Sequence, residues 1–257
     1  MSLIRRHLLR TLLALSLCLL TSSLAPAPAL AAEVRLAVAA NFTDTARQLG
    51  TAFTRRTGHQ VSYSFGASGQ LATQIQQGAP FDIFLSADVE RPLWLEQQGL
   101  TVDGSRHVYA RGRLVLWSAD ATRRDLSLAG LKAARFSHLA IADPKSAPYG
   151  LAAEEMLQKH GLLTPLSPKI VKGGNISQTY GFIKTGAAEL GFVALSQVYG
   201  QKTGRYWLIP AADHSPIEQQ VVWLKRSEKN PAALAFMHFL KSPEARKIIR
   251  NQGYEVD

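Results

Sequence analysis

Apolar residues along this chain alternate between short runs and stripes of helical spacing. Residues 34–38 form a run rich in β-branched side chains, and it ends in Ala39-Ala40-Asn41. An apolar stripe at the spacing of one helix face then covers residues 42–53, and Gly58 is placed to end that helix. Repetition of strand, turn and helix predicts an α/β fold in which helices cover both faces of a parallel sheet.

The same alternation continues to the C-terminus. Further strands are predicted at residues 61–65, 81–85, 114–117, 139–142, 170–172, 190–195 and 221–224. Helices are predicted between most of them, notably at 150–160 and 177–185, and later at 232–240 and 245–251. The sequence has no low-complexity linker and no internal repeat, and its length suits one large domain or two smaller ones.

The first 32 residues have the features of a cleavable secretory signal peptide. A positive region with three arginines precedes an apolar stretch, and Ala29-Leu30-Ala31 allows cleavage after Ala31 or Ala32. The stretch is too short for a membrane span, which needs about 20 apolar residues. We therefore expect an exported protein that does not span the membrane and resides in the periplasm.

Composition narrows the chemistry of the exported chain. The only cysteine, Cys18, lies in the leader, so no disulfide, cysteine-ligated metal or thiol nucleophile is expected after cleavage. Without the leader, 26 Lys and Arg face 19 Asp and Glu, a net charge of +7. Such a surplus suits nucleic acid, an anionic membrane or a small anion, and export favours the small anion. Because the sequence lacks a nucleophile elbow and a P-loop, and its histidines are scattered, we predict a binding protein without a cofactor and not an enzyme.

Small and polar residues occupy several predicted strand-to-helix turns. These turns are residues 40–42, 66–69, 143–150 and 173–177. A helix N-terminus presents unpaired N–H groups and a positive dipole end, which together attract anions. In open α/β sheets ligands bind outside the carboxyl ends of the strands, where all these turns lie. Asn and Ser are also ordinary N-caps, so the turns alone predict an anion site without identifying the anion.

Several motifs resemble one known family. They are Ala39-Ala40-Asn41-Phe42, Ser64-Phe65-Gly66-Ala67-Ser68-Gly69, the run from Gln77-Gly78-Ala79-Pro80-Phe81-Asp82 to Ser86-Ala87-Asp88, Pro148-Tyr149-Gly150, and residues 187–195. With them the chain resembles the periplasmic molybdate-binding proteins of ABC importers, which have the type II periplasmic-binding fold. The likeness extends over the whole chain after the leader.

This resemblance implies two lobes, each a mostly parallel sheet flanked by helices, that are joined by two hinge crossings. Residues 33–111 and 217–257 would form lobe 1, and residues 112–216 would form lobe 2. The implied protein is a monomer that closes on molybdate or tungstate and delivers it to the membrane permease of an ABC transporter.

The resemblance also implies the site. Lobe 1 would contribute Asn41 and Ser68, and lobe 2 would contribute Tyr149 and the backbone around Ile176. Tyr149 represents the family variant whose tyrosine lies in an Ala-Pro-Tyr-Gly turn, since Ala194 occupies the position that carries a tyrosine in the other variant. Serine is commoner at the position of Asn41, so binding through its side-chain amide and binding through its backbone N–H both stay open.

Two alternatives remain at this stage. The ligand could be another oxyanion such as sulfate or phosphate, whereas an organic acid would normally require an arginine that the site lacks. The same bilobal fold also occurs in transferases, which would need paired carboxylates or a histidine beside Tyr149.

Overall fold

The computed structural model describes residues 31–256. The predicted leader and Cys18 lie outside these residues, apart from the last two leader positions, Ala31 and Ala32. The described chain forms two five-stranded sheets with helices packed against them.

The first sheet combines N-terminal strands with one strand near the C-terminus. In spatial order its strands are β2 (Gln60–Gly66), β1 (Glu33–Ala39), β3 (Ile83–Leu85), β10 (Ile217–Trp223) and β4 (His107–Gly112). β1 runs parallel to both β2 and β3. β10 runs antiparallel to β3 and to β4.

The second sheet is formed by the middle of the chain. In spatial order its strands are β7 (Ile170–Gly173), β6 (Leu139–Ala142), β8 (Leu190–Ala194), β5 (Leu114–Ser118) and β9 (Arg205–Leu208). β6 is parallel to β7 and β8, whereas β5 is antiparallel to β8 and β9. Both sheets therefore have the same mixture of pairings.

Helices follow most of the strands. Those that accompany the first sheet are α1 (Thr43–Thr57), α2 (Ser68–Gln76), α3 (Glu90–Gln97), α9 (Pro231–Leu240) and α10 (Pro243–Asn251). Those that accompany the second are α4 (Leu128–Ala133), α5 (Pro148–Lys159), α6 (Leu163–Leu166), α7 (Ile176–Lys184) and α8 (Leu195–Val198). Short 3-10 helices cover Ala40–Phe42, Ser167–Lys169, Ala211–Asp213 and Lys225–Ser227. Gly58 ends α1 in the left-handed conformation, as its position in the sequence predicts.

The two-sheet α/β architecture is confirmed, but the sheets are more mixed than the predicted mostly parallel arrangement. Each has two parallel and two antiparallel ladders, because β5 and β10 enter a sheet directly after the chain has crossed from the other one. Two strands have no counterpart in the sequence prediction. β9 is a largely exposed edge strand and β4 alternates polar and apolar residues, so neither gives a continuous apolar run.

The chain passes from the first sheet to the second between Gly112 and Leu114, and it returns between Leu208 and Ile217. The exact limits of the two lobes stay a prediction. Apolar clusters cover both faces of each sheet. One of these clusters joins the two halves, since Ala39, Ala40 and Ala67 pack with Ala147 and Tyr149.

Candidate functional site

Four helix N-termini meet at one small cavity between the two halves. Its empty volume is about 200 Å³. All four predicted site residues, Asn41, Ser68, Tyr149 and Ile176, line it. The cavity therefore brings together the four turns that the sequence analysis singled out.

The position of each residue within its helix explains what the cavity offers. Ser68 and Ile176 are the first residues of α2 and α7, while Tyr149 is the second of α5 and Asn41 the second of the 3-10 helix Ala40–Phe42. N–H groups in a first helical turn have no acceptor within their own helix. The cavity is thus lined by backbone donors at the positive ends of helix dipoles.

The residues before three of these helices leave those donors uncapped. The 3-10 helix, α2 and α5 follow Ala39, Ala67 and Ala147, whose side chains make no capping hydrogen bond. At the start of α7 the side chain of Asn175 accepts the N–H of Gln178, so it does not cap the N–H of Ile176.

Ser68 adds a hydroxyl donor. Its side chain is buried, and its Oγ accepts the N–H of Ala87 at 3.0 Å. Since Oγ already accepts that bond, its own hydrogen is available for a second partner. Ala87 also lines the cavity, so this bond fixes the hydroxyl at the cavity wall.

Tyr149 adds a second hydroxyl. Its OH accepts the Nε2–H of Gln219 at 3.2 Å, and the described residues provide no acceptor for its own hydrogen. Burial, reinforced by the neighbouring Tyr254 and Tyr109, raises the pKa of Tyr149 well above its ordinary value. The phenol is therefore neutral and keeps its hydrogen at physiological pH.

The side chain of Asn41 is engaged away from the site. Its Nδ2 lies 2.9 Å from both Gln219 Oε1 and Tyr254 OH, so both amide hydrogens have acceptors. Only the backbone N–H of Asn41 then remains as a donor of this residue. Of the two modes left open by the sequence, this arrangement favours binding through the backbone.

Gln219 has no place in the sequence-based site, yet it is fully buried and contacts two predicted site residues. A polar residue inside a buried strand is a signal that could have identified it. The predicted strand begins at Val221, whereas β10 begins at Ile217, so Gln219 lies outside the predicted strand. Tyr109 and Tyr254, which complete this polar network, were missed because they are remote in sequence.

Hydrogen bonds close the cleft around the cavity. Ser177 and Ser196, from the second half, donate to the main-chain oxygens of Ala40 and Asn41, each at 3.1 Å. The N–H of Gly69 donates to Ser146 O at 2.9 Å, which uses one donor of the first turn of α2. The two halves are therefore in direct contact on both sides of the cavity.

The cavity has no charged wall. Its lining residues, all within the described part of the chain, carry neither a carboxylate nor a histidine, lysine or arginine. Among residues 31–256 no group of three or more His, Cys, Asp or Glu is placed to hold a metal ion. This lining offers donors to a small anion and lacks the acid–base pair that a transferase would need.

Comparison with known proteins identifies the class. Residues 34–255 match the family model described as bacterial extracellular solute-binding protein. The chain belongs to this family, and it is therefore a binding protein and not an enzyme.

Particular relatives refine that assignment. The chain is 54% identical over 230 residues to the molybdate-binding protein ModA of Rhodobacter capsulatus, covering 90% of this chain and 91% of that protein. It is 49% identical over 227 residues to ModA of Azotobacter vinelandii, covering 87% and 90% of the two chains. The solved periplasmic molybdate-binding protein of A. vinelandii superimposes with a TM-score of 0.83 at 39% identity, covering 87% of this chain and 99% of that one. The family resemblance drawn from the sequence motifs is confirmed.

None of the helices formed by the described residues is both long enough and apolar enough to cross a membrane.

Proposed function

We propose that this protein binds molybdate, and tungstate almost equally well, in the periplasm and delivers it to the permease of an ABC importer. The observation that carries the proposal is the meeting of four helix N-termini around one small uncharged cavity. The identities to proteins named as molybdate-binding support the choice of ligand.

The binding residues proposed are Asn41, Ser68, Tyr149 and Ile176. The backbone N–H groups of Asn41 and Ile176 and the hydroxyls of Ser68 and Tyr149 would each donate to an oxygen of the anion. Neutral donors can hold a dianion because fixed N–H and O–H dipoles replace its water shell, and bonds to a charged acceptor are about twice as strong as neutral ones. No cofactor and no direct metal ligand are required.

Selectivity would follow from size and the number of donors. A cavity fitted to a large tetrahedral oxyanion leaves donors unpaired around the smaller sulfate, at roughly 1–3 kcal/mol for each unpaired group. Molybdate and tungstate are nearly alike in size and charge, so this site would scarcely distinguish them.

Release to a permease would require the cleft to open. We propose residues 33–111 with 217–257 as one lobe and residues 112–216 as the other, moving as a monomer about the crossings near Gly112 and Pro216. A ligand that receives donors from both lobes favours the closed form. The hydrogen bonds from Ser177 and Ser196 to the other half add to closure.

Calorimetric titration of the protein without its leader tests the proposal. Molybdate and tungstate are expected to bind tightly with one site per chain, and sulfate and phosphate at least about 100-fold more weakly, the equivalent of two or more unpaired donors. Sulfate or phosphate binding as tightly as molybdate would contradict the assignment and favour the other-oxyanion alternative.

A further inference from the structure

A chain of buried hydrogen bonds runs from the main chain of Asn41 to the hydroxyl of Tyr149. Tyr254 OH lies 2.8 Å from Asn41 O and 2.9 Å from Asn41 Nδ2. Asn41 Nδ2 lies 2.9 Å from Gln219 Oε1, and Gln219 Nε2 lies 3.2 Å from Tyr149 OH. Every member of this chain is buried.

The donor and the acceptor of each hydrogen bond can be assigned by starting from the main-chain carbonyl of Asn41. A main-chain carbonyl can only accept, so Tyr254 donates its single hydrogen to Asn41 O. Tyr254 must then accept from the Asn41 amide nitrogen, whose other hydrogen reaches Gln219. The Gln219 atom at that position must therefore be the oxygen, which leaves the amide nitrogen facing Tyr149.

The Asn41 amide nitrogen is the contact that fixes the orientation of the Gln219 amide. Tyr109 OH lies 3.1 Å from Gln219 Oε1 and 3.2 Å from Ser86 O, so its single hydrogen has two acceptors within reach and its position is compatible with this orientation without requiring it. A flipped amide would bring its NH2 group against the Asn41 amide nitrogen, and neither could accept.

We propose that Gln219 is a positioning residue. Its amide N–H donates to the oxygen of the Tyr149 hydroxyl, so that this hydroxyl directs its own hydrogen to the bound anion. The inference rests on the proposed anion-binding function. It assigns Gln219 a role in discrimination between an anion, which needs donors at this point, and a ligand that would itself donate.

The hydrogen bonds that run from Tyr254 through Asn41 and Gln219 to Tyr149, here called the relay, lie where the polypeptide passes between the two sheets. A side chain at Gly112 would overlap both the Tyr149 hydroxyl and the Gln219 amide nitrogen. Glycine at this position therefore allows the bond between Gln219, from the first sheet, and Tyr149, from the second half, to form directly against the connecting backbone.

The test is Gln219→Glu, titrated with molybdate from pH 5.5 to pH 8.5. An ionised carboxylate only accepts, so it would take the Tyr149 hydrogen away from the anion and repel the anion as well. A protonated carboxyl can donate to Tyr149 and accept from Asn41, as the amide does. We expect roughly 100-fold weaker binding at pH 8.5, in line with a lost bond to a charged group and added repulsion, and recovery toward wild-type affinity at pH 5.5.

Proton uptake gives a readout that a merely structural role would not change. Burial raises the pKa of the introduced carboxyl, and the bound dianion raises it further, so molybdate binding by the variant should take up about one proton. Calorimetry in buffers of different ionisation enthalpy measures this number. The ionisable side chains in hydrogen-bond contact with Gln219, directly or through Asn41, are Tyr109, Tyr149 and Tyr254, with Asp88 acting on Tyr109 and Asp44 on Tyr254. All five are present in the wild-type protein, whose own pH profile is the reference.

The neighbouring residue supplies a matched control. Gln220 is also buried in β10, but its amide accepts from Arg106 and takes no part in the relay. Gln220→Glu should bind molybdate with unchanged affinity and without proton uptake. A Gln219→Glu protein whose carboxyl is ionised at pH 8.5 by infrared spectroscopy, and which still binds molybdate with wild-type affinity, would overturn the relay. If the carboxyl stays protonated at that pH, the double-mutant cycle of Tyr254→Phe and Tyr149→Phe decides. A wild-type protein that binds none of the oxyanions would instead overturn the proposed function.

A double-mutant cycle keeps the relay testable if Gln219→Glu does not fold. Tyr254→Phe interrupts the chain at its start, and Tyr149→Phe removes its final donor. If both act through one chain, Tyr254→Phe should weaken molybdate binding severalfold in the wild-type background and scarcely at all in the Tyr149→Phe background. Additive losses would contradict a common route.

Discussion

Three helix N-termini at the cavity differ from three N-termini outside it in how their first N–H groups are capped. Outside the site, α4, α9 and α10 follow Ser127, Asn230 and Ser242, whose side chains accept the N–H groups of Gly130, Ala232 and Ala245 at 3.0–3.2 Å. At the cavity, the 3-10 helix, α2 and α5 follow alanines that cap nothing.

The two sets of helices differ in which group is expected to accept the N–H groups of the first turn. Alanine at an N-cap typically costs about 1 kcal/mol relative to serine or asparagine, so three uncapped termini lower the stability of the empty site. An N-cap oxygen would occupy donors that the proposed anion needs. α4, α9 and α10 thus use first-turn N–H groups for stability, whereas the 3-10 helix, α2 and α5 leave theirs open to the proposed anion.

The largest effect is expected when a cavity terminus is given the cap that it lacks. In Ala67→Asp the carboxylate would accept first-turn N–H groups of α2 and place a negative charge on the cavity wall, since Ala67 lines it. Molybdate affinity should fall on the order of 1000-fold, about 4 kcal/mol, while thermal stability stays the same or rises.

Ser242→Asp is the control for that change. It places the same carboxylate at the N-cap of α10, where a side-chain oxygen already caps the helix. Molybdate affinity should not change. If Ala67→Asp bound molybdate as the wild type does, the uncapped termini would not be the anion site.

A pair of serine substitutions should show the same contrast with smaller effects. Ser68→Ala removes a hydroxyl donor at the cavity and should weaken molybdate binding about tenfold. Ser242→Ala removes a cap and should lower the free energy of unfolding by about 1 kcal/mol without changing affinity. Calorimetry and urea unfolding of both variants measure the two quantities. Equal effects of both variants on affinity would contradict the division of roles.

The sequence predicts this site in two steps. Glycines and polar residues at strand-to-helix turns predict an anion site, and the family resemblance implies Asn41, Ser68, Tyr149 and Ile176 as its residues. The main elements could be predicted because a buried strand or helix imposes its period on neighbouring residues. β9 escaped prediction because an exposed edge strand imposes no such period on its sequence.

The polar network behind the site could not be predicted in the same way. Gln219 is 178 residues from Asn41, and Tyr254 is 213 residues from it. Nothing in the local sequence relates them, since their contact depends on the return of the chain to the first sheet. The uncapped termini also gave little local signal, because alanine is a poor N-cap and does not mark the start of a helix.

Of the changes considered, a change of pH is expected to have the smallest effect on molybdate affinity. Its size distinguishes donation by the cavity hydroxyls from donation by groups that titrate near neutrality. Burial raises the pKa of Tyr109, Tyr149 and Tyr254 above their ordinary value near 10. The hydroxyls therefore keep their hydrogens, and wild-type molybdate affinity should change less than about threefold between pH 7 and pH 9. Since these acids ionise more readily in the unfolded chain, the stability that they contribute is complete below about pH 10 and is lost as the pH rises further. The melting temperature should accordingly fall above about pH 10, and Tyr149→Phe should reduce that fall. A loss of affinity already centred near pH 8 would contradict neutral tyrosine donors and indicate a titrating group at the cavity.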